Sequence, residues 1–295
     1  MSGAVASGVI SIDGVITPVA QARVPAMDHG LLFGDSIYEV IRTLGGRPVA
    51  LAQHLERLRA SAQATYLQIP WTDTEISARM RAAVDASRLS ESYVRLVISR
   101  GVGPMTLVPD ACDRPAMLIY VLPLVLPSAA EAESGIGIVV PARLRNDRRA
   151  LAPAAKTGNY LNNLLALVEA KRAGGDDAVM LNGDGLVTEA TTANVFWVTK
   201  GEVRTPSLDC GILAGITRML LIWAMRQEGI DVTEGGFPAA DLRACDEAFL
   251  TGSIRGVSPV VRIDGRAVGD GRPGPVTRRI QALNVRVLAS QTQDW

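Results

Sequence analysis

Apolar positions along the chain follow two rhythms, alternation and three-to-four spacing, and the two interleave from one end to the other. GVISIDGVITPV places two β-branched runs around Asp13-Gly14, which predicts a hairpin. In VALAQHLERLRASAQATYL, Leu51, Leu55, Leu58 and Ala62 fall at helical spacing. WTDTEISARMRAAVDASRL opens on a capping box, Thr72 with Glu75, then sets Ile76, Met80 and Val84 along one face. SYVRLVISRG and AMLIYVLPL read as adjacent buried strands.

The small, polar, proline-marked segment LPSAAEAESG (126–135) reads as an interdomain linker, dividing a smaller domain, 1–125, from a larger one, 136–295. Beyond it IGIVV predicts a strand, and NYLNNLLALVEAKRAGG a helix stopped by Gly174. DAVMLNGDGLVTEATTANVFWVTKGEV predicts a strand, an NGDG turn and further strands. GITRMLLIWAMRQEG predicts a helix ended by Gly229, EAFLTGS a strand and PVTRRIQALNVRVLAS a closing helix. Strands and helices mix irregularly in both halves, so the expected fold is two α/β or α+β domains with a cleft between them.

Composition narrows the function. The 295 residues are 48% hydrophobic, enough for a large core, and the formal net charge is zero. No basic run points to nucleic acid, and no uninterrupted apolar stretch reaches membrane-spanning length. The start, MSGAVASGVISIDG, lacks the basic segment and long apolar core of a signal peptide. Cys112, Cys210 and Cys245 are odd in number and far apart, which argues against a zinc or disulfide framework and for a reducing cytoplasm. A cytosolic enzyme or small-molecule binder is expected.

One residue type is scarce in an informative way. Of 30 basic residues only Lys156, Lys171 and Lys200 are lysines. Arginine stays charged at any accessible pH, whereas a buried lysine amine can lose its proton and attack a carbonyl. Taken alone, Lys156 in LAPAAKTGNYLNNLLA is most simply an exposed loop cation. Other segments add to it. CGILAGITR starts a helix at Gly215, Ile216 and Thr217, where free N–H groups and the helix dipole favour an anion. HLERL sets Arg57 one turn after His54, and TGS leaves Ser253 at a strand end. Glu189, in the largely apolar LVTEATTANVFWV, is a carboxylate that needs a cationic partner if it is buried.

Six motif groups in order resemble the class IV aminotransferases, the pyridoxal-phosphate enzymes of fold type IV. They are DHGLLFGDSIYEVIRT with HLERL, AKTGNYLNNLLA, TEATTANVFWV, LAGITR, EAFLTGS and GDGRPGPVTRRI. The resemblance implies a two-domain α/β (α+β) architecture with the active site in the interdomain cleft. It also implies a homodimer in which DHGLLFGDS forms part of the contact. Carried over by position, it gives Lys156 the covalent hold on the cofactor and the proton transfer between Cα and C4′. Glu189 would pair with the pyridine nitrogen, and Tyr160 would donate to the ring oxygen. Arg57, Ile216, Thr217 and Ser253 would hold the phosphate.

The motifs divide over the substrate. Val40 in YEVIR stands where branched-chain members usually carry glycine, a form shared with D-amino-acid enzymes, and it follows Tyr38. YVR, with Tyr93 and Arg95, is the branched-chain strand motif. The Arg and His with which D-specific members grip a carboxylate are replaced by Met105 and Leu107, so Arg95 and Arg255 are the expected clamp. The expectation leans to a transaminase of D-amino acids acting with an α-keto acid such as 2-oxoglutarate or pyruvate. The alternatives are a branched-chain L-amino-acid aminotransferase, then an aminodeoxychorismate lyase, then a non-catalytic binding protein on the same scaffold.

Overall fold

The computed structural model describes residues 7–295. Two compact units divide the chain. One runs through Val125 and takes up Ala155–Asn159 and Gln291–Trp295; the other comprises Leu126–Ala154 and Tyr160–Ser290.

In the first unit β1 (Val9–Ile12) and β2 (Val15–Pro18) form a hairpin through Asp13-Gly14. They are followed by α1 (His29–Phe33), β3 (Ser36–Leu44), β4 (Arg47–Pro48), α2 (Leu51–Ala64), α3 (Asp73–Ser87), β5 (Ser92–Ser99) and β6 (Ala116–Pro123). Among the described residues the strands make a six-stranded sheet in the order β2-β1-β6-β5-β3-β4, with β5 and β6 adjacent. The α3 capping box forms: the Thr72 hydroxyl accepts from Glu75 N, and the Glu75 carboxylate accepts from Thr72 N. Alternation sends Ile37, Ile41, Val94, Leu96 and Ile98 to one face, where they pack on Leu55, Leu58, Ile76 and Met80 of α2 and α3. Burying each such side chain contributes on the order of 2 kcal/mol. The other face carries Tyr38 and Val40 of β3, Tyr93, Arg95 and Val97 of β5, and Leu118 and Tyr120 of β6.

The second unit contains α4 (Ala129–Ser134), β7 (Ile136–Val139), α5 (Leu161–Arg172), β8 (Asp177–Leu181), β9 (Val187–Ala190), β10 (Asn194–Thr199) and β11 (Glu202–Pro206). Then come α6 (Ile216–Gln227), β12 (Val232–Gly235), α7 (Ala239–Arg243), β13 (Glu247–Gly252), β14 (Gly256–Ile263), β15 (Arg266–Ala267) and α8 (Pro275–Ser290). Its nine-stranded mixed sheet has the main order β12-β11-β10-β13-β14-β7-β8-β9. Phe196 and Val198 face α6 and α8, while Val195 and Trp197 enter a second core with Val179, Leu250 and Val260.

Chain order and compactness part company at two places. Ala155–Asn159 lines up beside β3, where Tyr38 N donates to Lys156 O (2.9 Å) and Gly158 N to Ser36 O (2.7 Å). The last five residues also return to the first unit, where Trp295 Nε1 donates to Gly46 O (3.0 Å). Neither return has a periodicity signal, because each is a few residues of unpatterned backbone pairing. The segment 126–135 holds α4, whose Glu133 pairs with Arg278 of α8.

Candidate active site

β3 supplies both faces of the first cluster. On the helix-covered face, Glu39 is fully buried, and Arg57 grips it with Nε on Oε1 (2.8 Å) and Nη2 on Oε2 (2.7 Å). His54 Nδ1 meets the same Oε2 at 2.6 Å. Burial pushes the Glu39 carboxyl up, but the charge and hydrogen bonds of Arg57, with those of His54, outweigh it and hold it at about 2. Burial drives the His54 ring down from its ordinary value; Glu39 opposes this, and the charges of Arg57 and Lys156 add to it. His54 is therefore neutral near pH 7 and donates from Nδ1 to the carboxylate.

On the opposite face, the Tyr38 ring lies near two cations: Arg95 Cζ is 3.8 Å from its centroid and Lys156 Nζ 4.5 Å. Lys156 is anchored through its backbone, with N donating to Ser61 Oγ (3.0 Å) and O accepting from Tyr38 N. Cross-strand register sets Arg95 between Val40 and Tyr120. Burial raises the Tyr120 hydroxyl, and the Arg95 charge opposes the shift. Among the described residues the Arg95 guanidinium has no carboxylate partner. Tyr93 lies two residues along the same strand face.

The second unit holds the other expected residues. Glu189 sits on β9, 5% exposed, and the cation it needs is Arg145, whose Nε (3.2 Å) and Nη2 (3.0 Å) donate to Oε1. Oε2 accepts from Leu213 N (3.0 Å) and Asn194 Nδ2 (3.3 Å). Tyr160 is the N-cap residue of α5. At the start of α6, Ile216 and Thr217 are buried, and the N-cap Gly215 offers no side-chain cap. A Cβ at Gly215 would lie 1.9 Å from Asn194 Oδ1, so only glycine permits this approach. Ser253 begins the tight turn from β13 to β14.

Arg255, in that same turn, is tied inward. Nη1 lies 3.1 Å from Asp177 Oδ2, and Nη2 donates to Thr192 Oγ1 (3.3 Å). Asp177 is 3% exposed, and its Oδ1 takes the Thr191 hydroxyl at 2.6 Å. The sequence named this residue with Arg95 as the expected substrate clamp; in the structure its guanidinium pairs with the buried Asp177 carboxylate at the turn. The residues that sequence reasoning missed are Glu39, Arg145, Asp177, Asn194 and Tyr120. Glu39, Arg145, Asp177 and Tyr120 act through partners distant in sequence, which no local pattern signals.

A class IV amino-transferase family model matches residues 36–263. The chain belongs to the class IV aminotransferases. It is 32% identical to the Escherichia coli branched-chain-amino-acid aminotransferase, over 93% of this chain and 91% of that one. The crystal structure of that E. coli enzyme superposes with a TM-score of 0.91 at 31% identity, covering 98% and 97% of the two chains. The D-alanine aminotransferase of Bacillus licheniformis is 29% identical over 96% of this chain and 98% of its own. A branched-chain aminotransferase from Thermobaculum terrenum, solved in its PLP form, has a TM-score of 0.87 at 28% identity and covers 97% and 95% of the two chains. The protein is thus a transferase that uses pyridoxal phosphate, on the fold type IV scaffold. The lyase and binding-protein alternatives give way to aminotransfer. The lean to D-amino acids is less well supported than the branched-chain alternative, since most of the relatives carry branched-chain names.

The residues present fit that cofactor. The uncapped start of α6, approached closely through Gly215, offers backbone donors to a phosphate. Glu189 is a carboxylate surrounded by donors, suited to a ring N–H. Lys156 is the half-buried primary amine that the chemistry requires.

Proposed function

We propose that the protein moves the amino group of a branched-chain L-amino acid to an α-keto acid such as 2-oxoglutarate. The observation that carries this reading is the strand face around Arg95. A half-buried guanidinium stacks on Tyr38 and lacks an acidic partner among the described residues, and its neighbours Val40, Val97 and Leu118 are apolar. The aliphatic surface suits a branched side chain. The cation suits a substrate carboxylate, including the second carboxylate of a dicarboxylic acceptor. The branched-chain names of most relatives point the same way. D-Alanine is the second reading, favoured by Val40 and by the D-alanine aminotransferase among the relatives.

Pyridoxal phosphate, when bound, supplies the electron sink that stabilises negative charge at Cα. Lys156 Nζ would hold it covalently, be freed when the substrate's amine takes its place on the same carbon, and then carry the proton from Cα to C4′. Glu189 would hold the ring nitrogen protonated, and Tyr160 would donate to the ring oxygen. Arg57, Ile216, Thr217 and Ser253 would bind the phosphate, with Arg57 kept in place by Glu39. Arg95 would orient the substrate by its carboxylate, with Tyr38 and Tyr93 beside it.

A half-reaction tests the assignment without an acceptor. The holoenzyme is mixed with each hand of alanine, glutamate and leucine, and loss of the cofactor's visible band is followed. L-Leucine should react fastest, and Lys156→Ala should bind no cofactor covalently after borohydride reduction. A faster rate with D-alanine would transfer the assignment to the second reading.

The protein is also read as a homodimer, on the exposed apolar surface around α1 and residues 102–108. A cytoplasmic location is part of the same reading, supported by three cysteines that are all free. Among the described residues no helix is long and apolar enough to cross a membrane.

A further inference from the structure

We propose that Arg145 is a positioning residue that, through its ion pair with Glu189, keeps the proton on the ring nitrogen of the bound cofactor. The inference rests on the assignment of Glu189 to that nitrogen and extends it to a residue 44 positions away in the chain. The backbone holds Arg145 in register. Arg145 N donates to Leu181 O (2.8 Å), and Leu144 bridges Leu181 at the end of β8, the strand that pairs with β9. From there the guanidinium fork reaches Glu189 Oε1 with Nε and Nη2 together. Both side chains are nearly buried, at 12% and 7% exposure, so water screens the pair little.

The consequence follows from proton affinity. A pyridine nitrogen facing a carboxylate shares one proton between N and O. The proton stays on nitrogen when the carboxylate is a weak base, and it drifts to oxygen when burial leaves the anion poorly compensated. Arg145 on Oε1, with Leu213 N and Asn194 Nδ2 on Oε2, makes Glu189 a weak base. Of these donors only Arg145 carries a charge, and charge-assisted bonds are about twice as strong as neutral ones. Arg145 therefore contributes most to the choice.

The test reads the nitrogen directly. Holoenzyme is loaded with cofactor labelled with ¹⁵N in the ring, and the ¹⁵N chemical shift is recorded for the wild type, Arg145→Gln, Arg145→Lys and Glu189→Gln. Arg145→Gln keeps a donor and removes the charge, so its signal should move towards neutral pyridine, and its half-reaction should slow roughly ten- to a hundredfold. Arg145→Lys, which keeps the charge, should restore the protonated signal. Arg145→Met serves as a second neutral variant should the glutamine form fail to fold. A protonated signal in the neutral variants, with Glu189→Gln alone displaced, would overturn the proposal and leave Glu189 in place. An undisplaced signal in Glu189→Gln would remove the assignment of Glu189 itself, and the role of Arg145 with it.

Discussion

Replacing Glu39 by glutamine isolates the charge at the centre of the Glu39–Arg57–His54 cluster. Its carboxyl titrates at about 2 in the folded protein against an ordinary 4.5. The stability it contributes is therefore fully present above pH 4.5 and is lost as pH falls through about 2. The difference amounts to roughly 3 kcal/mol. His54 is shifted downward, so folding favours its neutral form, and its share begins to fall as pH drops below 6.5. Urea denaturation of wild type and Glu39→Gln at a series of pH values should show a large gap at pH 7 that narrows towards pH 2. A gap independent of pH would mean that packing, not charge, links Glu39 to its partners. None of this was legible from sequence, where Glu39 is one polar residue in SIYEVIRTL and looks like an interruption of a strand. Three-dimensional pairing makes it tolerable, since a buried carboxylate is retained only with partners around it.

At the scale of elements, the helices and the Asp13-Gly14 hairpin were readable, and the β13–β14 turn was not. Leu51, Leu55 and Leu58, and then Ile76, Met80 and Val84, announce α2 and α3 because one apolar face repeats for several turns. The β13–β14 turn carries Ser253 and Arg255 in three residues without a period, so sequence could only name Arg255 together with Arg95 as the clamp. Their environments now predict opposite behaviour. Arg255→Ala removes the brace on buried Asp177, so it should lower stability by about 1–3 kcal/mol. It should also weaken cofactor retention through Ser253 while leaving the choice among amino acids unchanged. Arg95→Ala breaks no ion pair and should leave the melting temperature near wild type. Its half-reaction specificity constant should fall about 30- to 150-fold, the loss of roughly 2–3 kcal/mol from a charge-assisted contact. Thermal melts and half-reaction kinetics on both variants decide it; the reverse pattern would make Arg255 the substrate residue.

For the whole molecule, each unit carries part of the expected chemistry, Lys156, Arg57 and Arg95 in one and Tyr160, Glu189 and the α6 start in the other. A third surface enters through α1 and the stretch that follows β5. His29 Nε2 meets Pro104 O at 2.9 Å, Gly103 N donates to Met27 O, and Asp28 bridges Val102, so the two stretches form one continuous surface. Asp28 caps α1 and Gly34 ends it in the left-handed region at φ +68°, which holds the short helix up with Leu31 65% exposed. Met105 and Leu107 beside it are 72% and 80% exposed. Large aliphatic side chains held outward on backbone this well bonded are costly in a monomer, and contiguous apolar patches of this kind mark interaction surfaces. A second copy of the chain presents the same patch, and two-fold symmetry lets it cover itself. The wild type should therefore sediment as a dimer at assay concentrations. Leu31→Asp with Leu107→Asp should shift it to monomer without unfolding it, because both side chains already face water in the single chain. A double variant that remains dimeric with full activity would place the contact elsewhere on the molecule.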